Sequence, residues 1–286
     1  MNQQLLVATM VVLGVGVGCG PGKKPDKTTR EALEYVPRDA QVVVSFDAAG
    51  LRDSTLWSDI APALAKDREY RELRQCGIDL LDAFDRLTIA ATSIDHPAGM
   101  FVIQGPKSQK FLDCVVKHDP TVTRDGDYLI AKDRHGDKVM LTAADGDTVV
   151  GVFGDDISRA RLQTIVDHDS TITDDVTFSA ITKQLDMRDL TWFVVAGTVL
   201  ADAHLVSPNP IAMGGSVGID SKTHIDARLV VRFDSADGAK EAESDARAMI
   251  RLTRIDEVSI DRDGEDLRIS LDFSDKESKA LLRKWN

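Results

Sequence analysis

The sequence predicts an α+β protein made of two similar halves with mainly antiparallel sheets. Of its 286 residues, 43% are hydrophobic and 29% are charged, which is an ordinary composition for a globular protein with a packed core. Asp-Gly pairs between stretches of alternating apolar and polar residues predict β-hairpins, whose strands pair antiparallel. The predicted order β-α-β-β-α-β-β-α occurs twice, so we expect one half over 36–170 and another over 171–286.

Strands and helices alternate through the first half. The β-branched run "AQVVVSF" predicts a buried strand, and an apolar stripe over 54–73 predicts a helix. The stretches "RLTIAAT" and "GMFVIQG" predict paired strands, and the spacing over 107–117 predicts a second helix. A meander with Asp-Gly turns at 125–126 and 145–146 follows. Asp155 and Asp156 then suit the start of a helix that ends at Val166.

The second half is predicted to repeat this order. "LTWFVVAG" predicts a strand, "SVGIDSKTHIDARLVVRF" a hairpin, and "EVSIDRDGEDLRISLDF" a second hairpin. A final helix is expected to end at Trp285. Between the hairpins, a helix over 236–252 is expected to bury Ala239, Ala242, Ala246, Met249 and Ile250.

The charge of the chain argues against a nucleic-acid partner. Its formal net charge is −12 and its pI is about 4.9, so its surface repels phosphate backbones. Lysines and arginines are interleaved with acids, as in "KDREYRELR", and they form no basic stripe. We therefore expect no binding to nucleic acid.

The N-terminal segment reads as an export signal. Leu5–Val17 is apolar but shorter than the roughly 20 residues of a membrane-spanning helix, and it ends in "GVGC". These features resemble the signal of bacterial lipoproteins, in which a Leu-Ala/Ser-Gly/Ala-Cys motif precedes lipid attachment. Val17, Gly18 and Cys19 match that motif, whereas Gly16 stands where leucine is usual.

The resemblance implies removal of a signal peptide over 1–18 and diacylglycerol on the sulfur of Cys19. The mature protein would then be held at the cell envelope by its acyl chains, since two or more chains anchor stably. Gly20 after the cysteine favours the outer membrane, with the domain in the periplasm or at the surface. Residues 19–35 would form a flexible tether. An uncleaved membrane anchor and a soluble secreted protein are the alternatives.

Two further cysteines, Cys76 and Cys114, remain if Cys19 carries lipid. Because exported domains fold in an oxidising compartment, we expect these two to form a disulfide. Two separate buried thiols are the alternative. The chain has no C-x-x-C motif, so redox catalysis is not expected.

Catalytic and metal motifs are weak. "GGSVG" satisfies G-x-S-x-G with Ser216 in the nucleophile position, yet the motif is followed by a predicted strand, where hydrolases have a helix. The acids in the turns could hold calcium weakly, but "DRDGED" lacks the glutamate that completes an EF-hand loop. We expect no metal and no cofactor, because the histidines lie at no metal-ligand spacing: His96, His118, His135, His168, His204 and His224.

The connection over 198–215 is the strongest candidate for a binding loop. It is long and apolar, with the side chains of Leu205, Val206, Ile211 and Met213 among prolines; such loops are often functional. A loop that packs these side chains on its own domain is the alternative. We expect a non-enzymatic binding or scaffolding module that could contact an envelope protein. An exported hydrolase using Ser216 or a carboxylate pair is the runner-up, and the oligomeric state stays open.

Overall fold

The structure is a computed structural model that describes residues 26–54, 57–64, 66, 74–79, 83–93, 98–105, 107–132, 137–155, 157–203, 209–219, 225–253 and 258–273. The expected signal peptide, Cys19 and the expected final helix lie outside these residues. Within the described ranges, no helix combines the length and the apolarity needed to cross a bilayer. The chain divides after Val176 into two compact units, which contain Pro25–Val176 and Thr177–Asn286.

The first unit contains seven described strands and five described helices. Its strands are β1 (Val42–Asp47), β2 (Arg86–Ser93), β3 (Ala98–Gln104), β4 (Thr123–Asp125), β5 (Tyr128–Lys132), β6 (Lys138–Ala143) and β7 (Thr148–Phe153). Its helices are α1 (Lys27–Glu34), α2 (Ala48–Asp53), α3 (Trp57–Leu64), α4 (Ser108–His118) and α5 (Arg159–Val166). The strands pair antiparallel in the order β1-β2-β3-β7-β6-β5-β4.

The second unit has a smaller antiparallel sheet. Helix α6 (Val176–Thr182) begins at the junction. The other elements are β8 (Thr191–Ala196), α7 (Gly197–Ala203), β9 (Ala212–Ile219), β10 (Ile225–Arg232), α8 (Ala236–Thr253), β11 (Val258–Asp263) and β12 (Asp266–Phe273). The strands pair in the order β8-β9-β10-β12-β11.

The predicted fold class is confirmed: the protein is α+β, with mainly antiparallel sheets and two similar halves. In each unit the first strand follows a helix and runs directly into another helix, two paired strands come next, and a further helix precedes the last group of strands. This last group has four strands in the first unit and two in the second. Tight turns at Gly126 and Gly264 close two of the predicted hairpins, and these glycines adopt φ of 64° and 60°, a region that favours glycine.

A helix packs on one face of each sheet and forms a core there. In the first unit, α4 buries Phe111 and Leu112 against Leu129, Leu141 and Val149. In the second, α8 buries the predicted alanines against the sheet, with a core of Leu200, Met213, Val231, Phe233, Ala239, Ala242, Ala246, Ile260 and Leu267.

Helix α1 differs from the sequence-based expectation, since it occupies 27–34 of the expected tether. Asp26 caps it by accepting a 2.7 Å hydrogen bond from the Thr29 backbone. Ala32 and Leu33 are buried, and the helix contacts β2 and β3. Sequence reasoning took the Lys, Thr and Pro content of this segment as a linker composition, whereas its apolar residues at helical spacing decided the structure.

A buried arginine joins the capping residues of two helices in the first unit. The Arg86 side chain is 2% exposed, and its Nη2 lies 3.5 Å from Asp26 Oδ2 and 3.4 Å from Asp47 Oδ2. Its Nη1 donates to Ser45 Oγ at 3.2 Å. Asp47 caps α2 by accepting from the Gly50 backbone. The charge of a buried arginine requires such partners, because an unpaired buried charge is costly.

Candidate functional site

The expected binding loop over 198–215 is largely regular structure. Helix α7 occupies its first part, with Val199 and Leu200 buried, and strand β9 begins at Ala212. The loop prediction is wrong at both ends, because apolar residues on α7 and β9 pack into the core of the second unit. What remains between these two elements is the segment 204–211, which we call the α7–β9 connection.

The end of the α7–β9 connection is held by backbone hydrogen bonds on both sides. The Gly197 N–H donates to the Ile211 carbonyl at 2.9 Å, and the Ile211 N–H donates to the Arg232 carbonyl at 2.8 Å. A Cβ at position 197 would lie 2.5 Å from the Pro210 carbonyl oxygen, so only glycine fits there. The Ile211 side chain is 41% exposed on this fixed backbone.

The four residues expected at a binding surface therefore do not share one environment. Ile211 is exposed, whereas Met213 is 3% exposed and belongs to the core under α8. Met213 is a packing residue, and its expected contact role is wrong, because the strand directs it inward. Leu205 and Val206 lie outside the described residues.

Ser216 lies in the middle of β9 and is fully buried. The nucleophile of a G-x-S-x-G hydrolase needs a strand-to-helix turn that exposes its hydroxyl, and β9 instead continues into a hairpin with β10. The glycines around Ser216 serve packing: a Cβ at Gly214 would lie 2.3 Å from Ile181 Cγ2, and one at Gly218 would lie 2.5 Å from Asp226 Oδ1. Ser216 therefore lacks the exposed turn that the nucleophile of the runner-up hydrolase requires.

A polar row crosses the second sheet at the level of Ser216. Trp192 on β8 and Arg228 on β10 are its direct partners in the strand register, and residues opposite each other point to the same face. Trp192 Nε1, Ser216 Oγ, and Arg228 Nε and Nη1 are buried without a hydrogen-bond partner in the described part of the chain. Buried polar groups usually have hydrogen-bond partners, so this row is an unusual cluster of polar groups in the interior of the second unit.

Asp189 borders this row from the segment before β8. A Cβ at Gly218 would lie 2.8 Å from Asp189 Oδ1 and 2.5 Å from Asp226 Oδ1, so both carboxyl groups lie above that glycine. Burial, together with the charges of Asp186 and Asp226, raises the pKa of Asp189 to about 7. The neighbouring Ser216 hydroxyl, which falls short of full hydrogen-bond geometry, and the Arg228 charge oppose this rise in pKa.

Sequence reasoning did not single out Asp189 or Arg228. Arg228 gave no clear signal, because in "DARLVVR" it shares a strand face with Asp226, Val230 and Arg232, and such a charged face is typical of solvent exposure. For Asp189 there was no clear signal either, since acids are common in the connections before strands.

The predicted disulfide is confirmed in the first unit. Cys76 and Cys114 are bonded, with their Cα atoms 5.8 Å apart. His118 lies beside them: its ring nitrogen and the two sulfurs are within 4.8 Å of one another. The sequence did not single out His118 as a possible ligand, although its i, i+4 spacing to Cys114 on α4 places both side chains on one face.

Comparisons with known proteins show a shared fold only. No family model matches the chain, and no curated protein matches it. The chain is similar in structure to TP0453: crystal form I has a TM-score of 0.58 at 10% identity, over 88% of this chain and 97% of that chain. Crystal form III has a TM-score of 0.56 at 11% identity, over the same shares of the two chains. Crystal form IV has a TM-score of 0.51 at 11% identity, over 90% of this chain and 99% of that chain. Likeness at this identity extends to the architecture and not to activity.

Proposed function

We propose that the protein is a lipid-anchored cell-envelope protein that binds another envelope protein without catalysing a reaction. The anchor is the lipid that the lipoprotein-type motif implies on Cys19. The binding surface is the α7–β9 connection, and the outer membrane is the proposed location.

The observation that carries the binding proposal is the presentation of Ile211. Its backbone is fixed by hydrogen bonds to Gly197 and Arg232, while its side chain stays 41% exposed. A large apolar side chain held rigidly at the surface loses little conformational entropy when a partner covers it. Leu205 and Val206, in the same connection, add apolar character to the sequence of this surface.

The anchor predicts a specific mass. The native protein from the membrane fraction should have the mass of Cys19–Asn286 plus diacylglycerol and an amide-linked acyl chain. Intact-mass spectrometry with and without reductant measures this, and reduction of the disulfide should add the mass of two hydrogen atoms. A chain that carries no lipid on Cys19, or is cleaved elsewhere, would contradict the anchor.

The binding surface predicts a selective loss of partner capture. Replacing Ile211 by arginine should lower the recovery of a crosslinked envelope protein at least about tenfold, since a charge at a buried interface centre is costly. The matched control is Ile89→Arg, because Ile89 is 40% exposed on β2. Both variants should keep the melting temperature of the wild type. Equal recovery with Ile211→Arg and Ile89→Arg would remove the α7–β9 connection as the contact.

The runner-up, an exported hydrolase, rests on carboxyl groups now that Ser216 is buried. Asp189 is its best candidate, because a carboxyl with a pKa of about 7 near Asp186 and Asp226 can exchange a proton at neutral pH. This arrangement is also that of a buried structural carboxyl, and the pH experiment in the Discussion distinguishes the two roles.

A further inference from the structure

The Cys76–Cys114 disulfide and His118 form a compact set of possible metal ligands. The two sulfurs and a nitrogen of His118 lie within 4.8 Å of one another. Cys114 and His118 are four residues apart on α4, so the helix itself points both side chains to one face. Cys76 comes from the turn that packs on that face.

The His118 ring offers an unused donor to this set. Its Nε2 is buried and has no hydrogen-bond partner among the described residues. A buried polar nitrogen without a partner is unusual in a folded protein and calls for an explanation. An imidazole nitrogen close to two cysteine sulfurs is a combination of groups that binds a metal ion once the sulfurs are thiolates.

Contacts other than the disulfide hold Cys76 near α4. Lys110 Nζ donates to the Gly77 carbonyl at 2.8 Å, and Arg74 pairs with Asp79 at 3.3 Å across the same turn. Ile78 is 5% exposed and belongs to the core under α4. The three ligand side chains would therefore stay together after the disulfide is opened.

We propose that reduction of this disulfide creates a site for a thiophilic d10 cation such as Zn²⁺, bound by Cys76, Cys114 and His118. A dithiol reductant supplies two electrons and two protons, becomes a disulfide itself, and leaves two thiols. Zn²⁺ then displaces the two thiol protons and accepts a lone pair from His118 Nε2, whose ring keeps its proton on Nδ1. The oxidised protein has no thiolates and does not form the site.

The ligand set selects the kind of metal. Two thiolates and one imidazole suit Zn²⁺ or Cu⁺, whereas Ca²⁺ and Mg²⁺ require oxygen ligands. Three protein ligands leave one tetrahedral position for water or an external ligand. The apolar side chains of the core under α4 surround the sulfurs and limit the access of water.

Metal binding to the reduced protein tests this proposal. The full chain with Cys19→Ser is reduced with a phosphine under anaerobic conditions, incubated with Zn²⁺ and passed through a desalting column. We expect about one zinc ion per chain after reduction and less than about a tenth of that in the oxidised protein. Cobalt should replace zinc and give the visible bands of a tetrahedral site with thiolate ligands.

Two variants on the last turn of α4 distinguish a defined zinc site from nonspecific zinc binding by the two free thiols. His118→Ala should weaken zinc binding at least about tenfold, because it removes one of three ligands. Lys117→Ala changes an exposed neighbour and should bind as the wild type does. Zinc should also raise the melting temperature of the reduced wild type and of Lys117→Ala, but not of reduced His118→Ala. Equal zinc binding in the oxidised and reduced protein, or by His118→Ala and Lys117→Ala, overturns the proposal, as does a reduced chain that zinc does not stabilise.

Discussion

Replacing Cys76 and Cys114 by alanine should lower the free energy of unfolding by about 4 kcal/mol. The bridge joins residues 38 apart in sequence, and closing a loop of that length raises the free energy of the unfolded chain by about this much in the entropy model. Cys114 is 3% exposed within the core under α4, so its replacement also removes packing. Urea denaturation of the oxidised protein and of the double variant, both in a Cys19→Ser background, measures the difference.

Either single alanine variant breaks the same bridge and should cost nearly as much as the double variant. This non-additivity separates the effect of the bridge from the packing loss at each cysteine. A double variant that unfolds within about 1 kcal/mol of the oxidised wild type would show that the loop constraint contributes little.

Asp189→Asn should make the protein more stable than the wild type at pH 8, by up to about 4 kcal/mol. The pKa of Asp189 is 3.8 as a free side chain and about 7 in the folded protein, and each pKa unit corresponds to 1.36 kcal/mol. The folded state holds this proton more tightly than the unfolded state does. Wild-type stability therefore falls as pH rises from about 4 to about 7. Above pH 7 the protein carries the full free-energy cost of holding Asp189 ionised in the folded state.

Asparagine removes that cost, since it cannot ionise. The stability difference between the variant and the wild type should be near zero at pH 4 and reach its maximum above pH 7, as measured by urea denaturation across this range. The control is Asp245→Asn on an exposed position of α8, which should follow the wild type. Parallel curves for Asp189→Asn and the wild type would show that the carboxyl is not buried as described.

The same variant addresses the hydrolase alternative. If Asp189 had only a structural role, Asp189→Asn would leave any hydrolytic activity of the protein unchanged. A catalytic proton carrier would lose activity in the variant, with a pH profile in the wild type that follows a pKa near 7.

The local features of the fold could be predicted where short-range physics decides. The hairpins followed from Asp-Gly turns, the buried alanines of α8 from helical spacing, and the disulfide from pairing the two remaining cysteines. Helices α1 and α7 could not be predicted, because each is short and its stability comes from packing against a sheet. Helix α5 begins after Ser158, which caps it, and not after Asp155 and Asp156, where the sequence predicted its start.

The candidate sites depend on contacts that sequence spacing does not contain. The row of Trp192, Ser216 and Arg228 requires the register of three strands, and the approach of Asp189 to Gly218 requires the path of the segment before β8. His118 and Cys114 share a helix face and were within reach of sequence reasoning, whereas the place of Cys76 beside them depends on the tertiary fold.

Helix α1 changes the reach of the protein from its proposed anchor. Asp26 caps that helix and pairs with Arg86, so regular structure is already present before Val36, where the sequence predicted the first half to begin. Only six residues lie between Cys19 and Asp26, and a fully extended chain between these two positions spans at most about 25 Å. A chain anchored at Cys19 would thus keep its first unit close to the lipid headgroups. A partner of this unit would therefore have to bind it close to the surface of the bilayer.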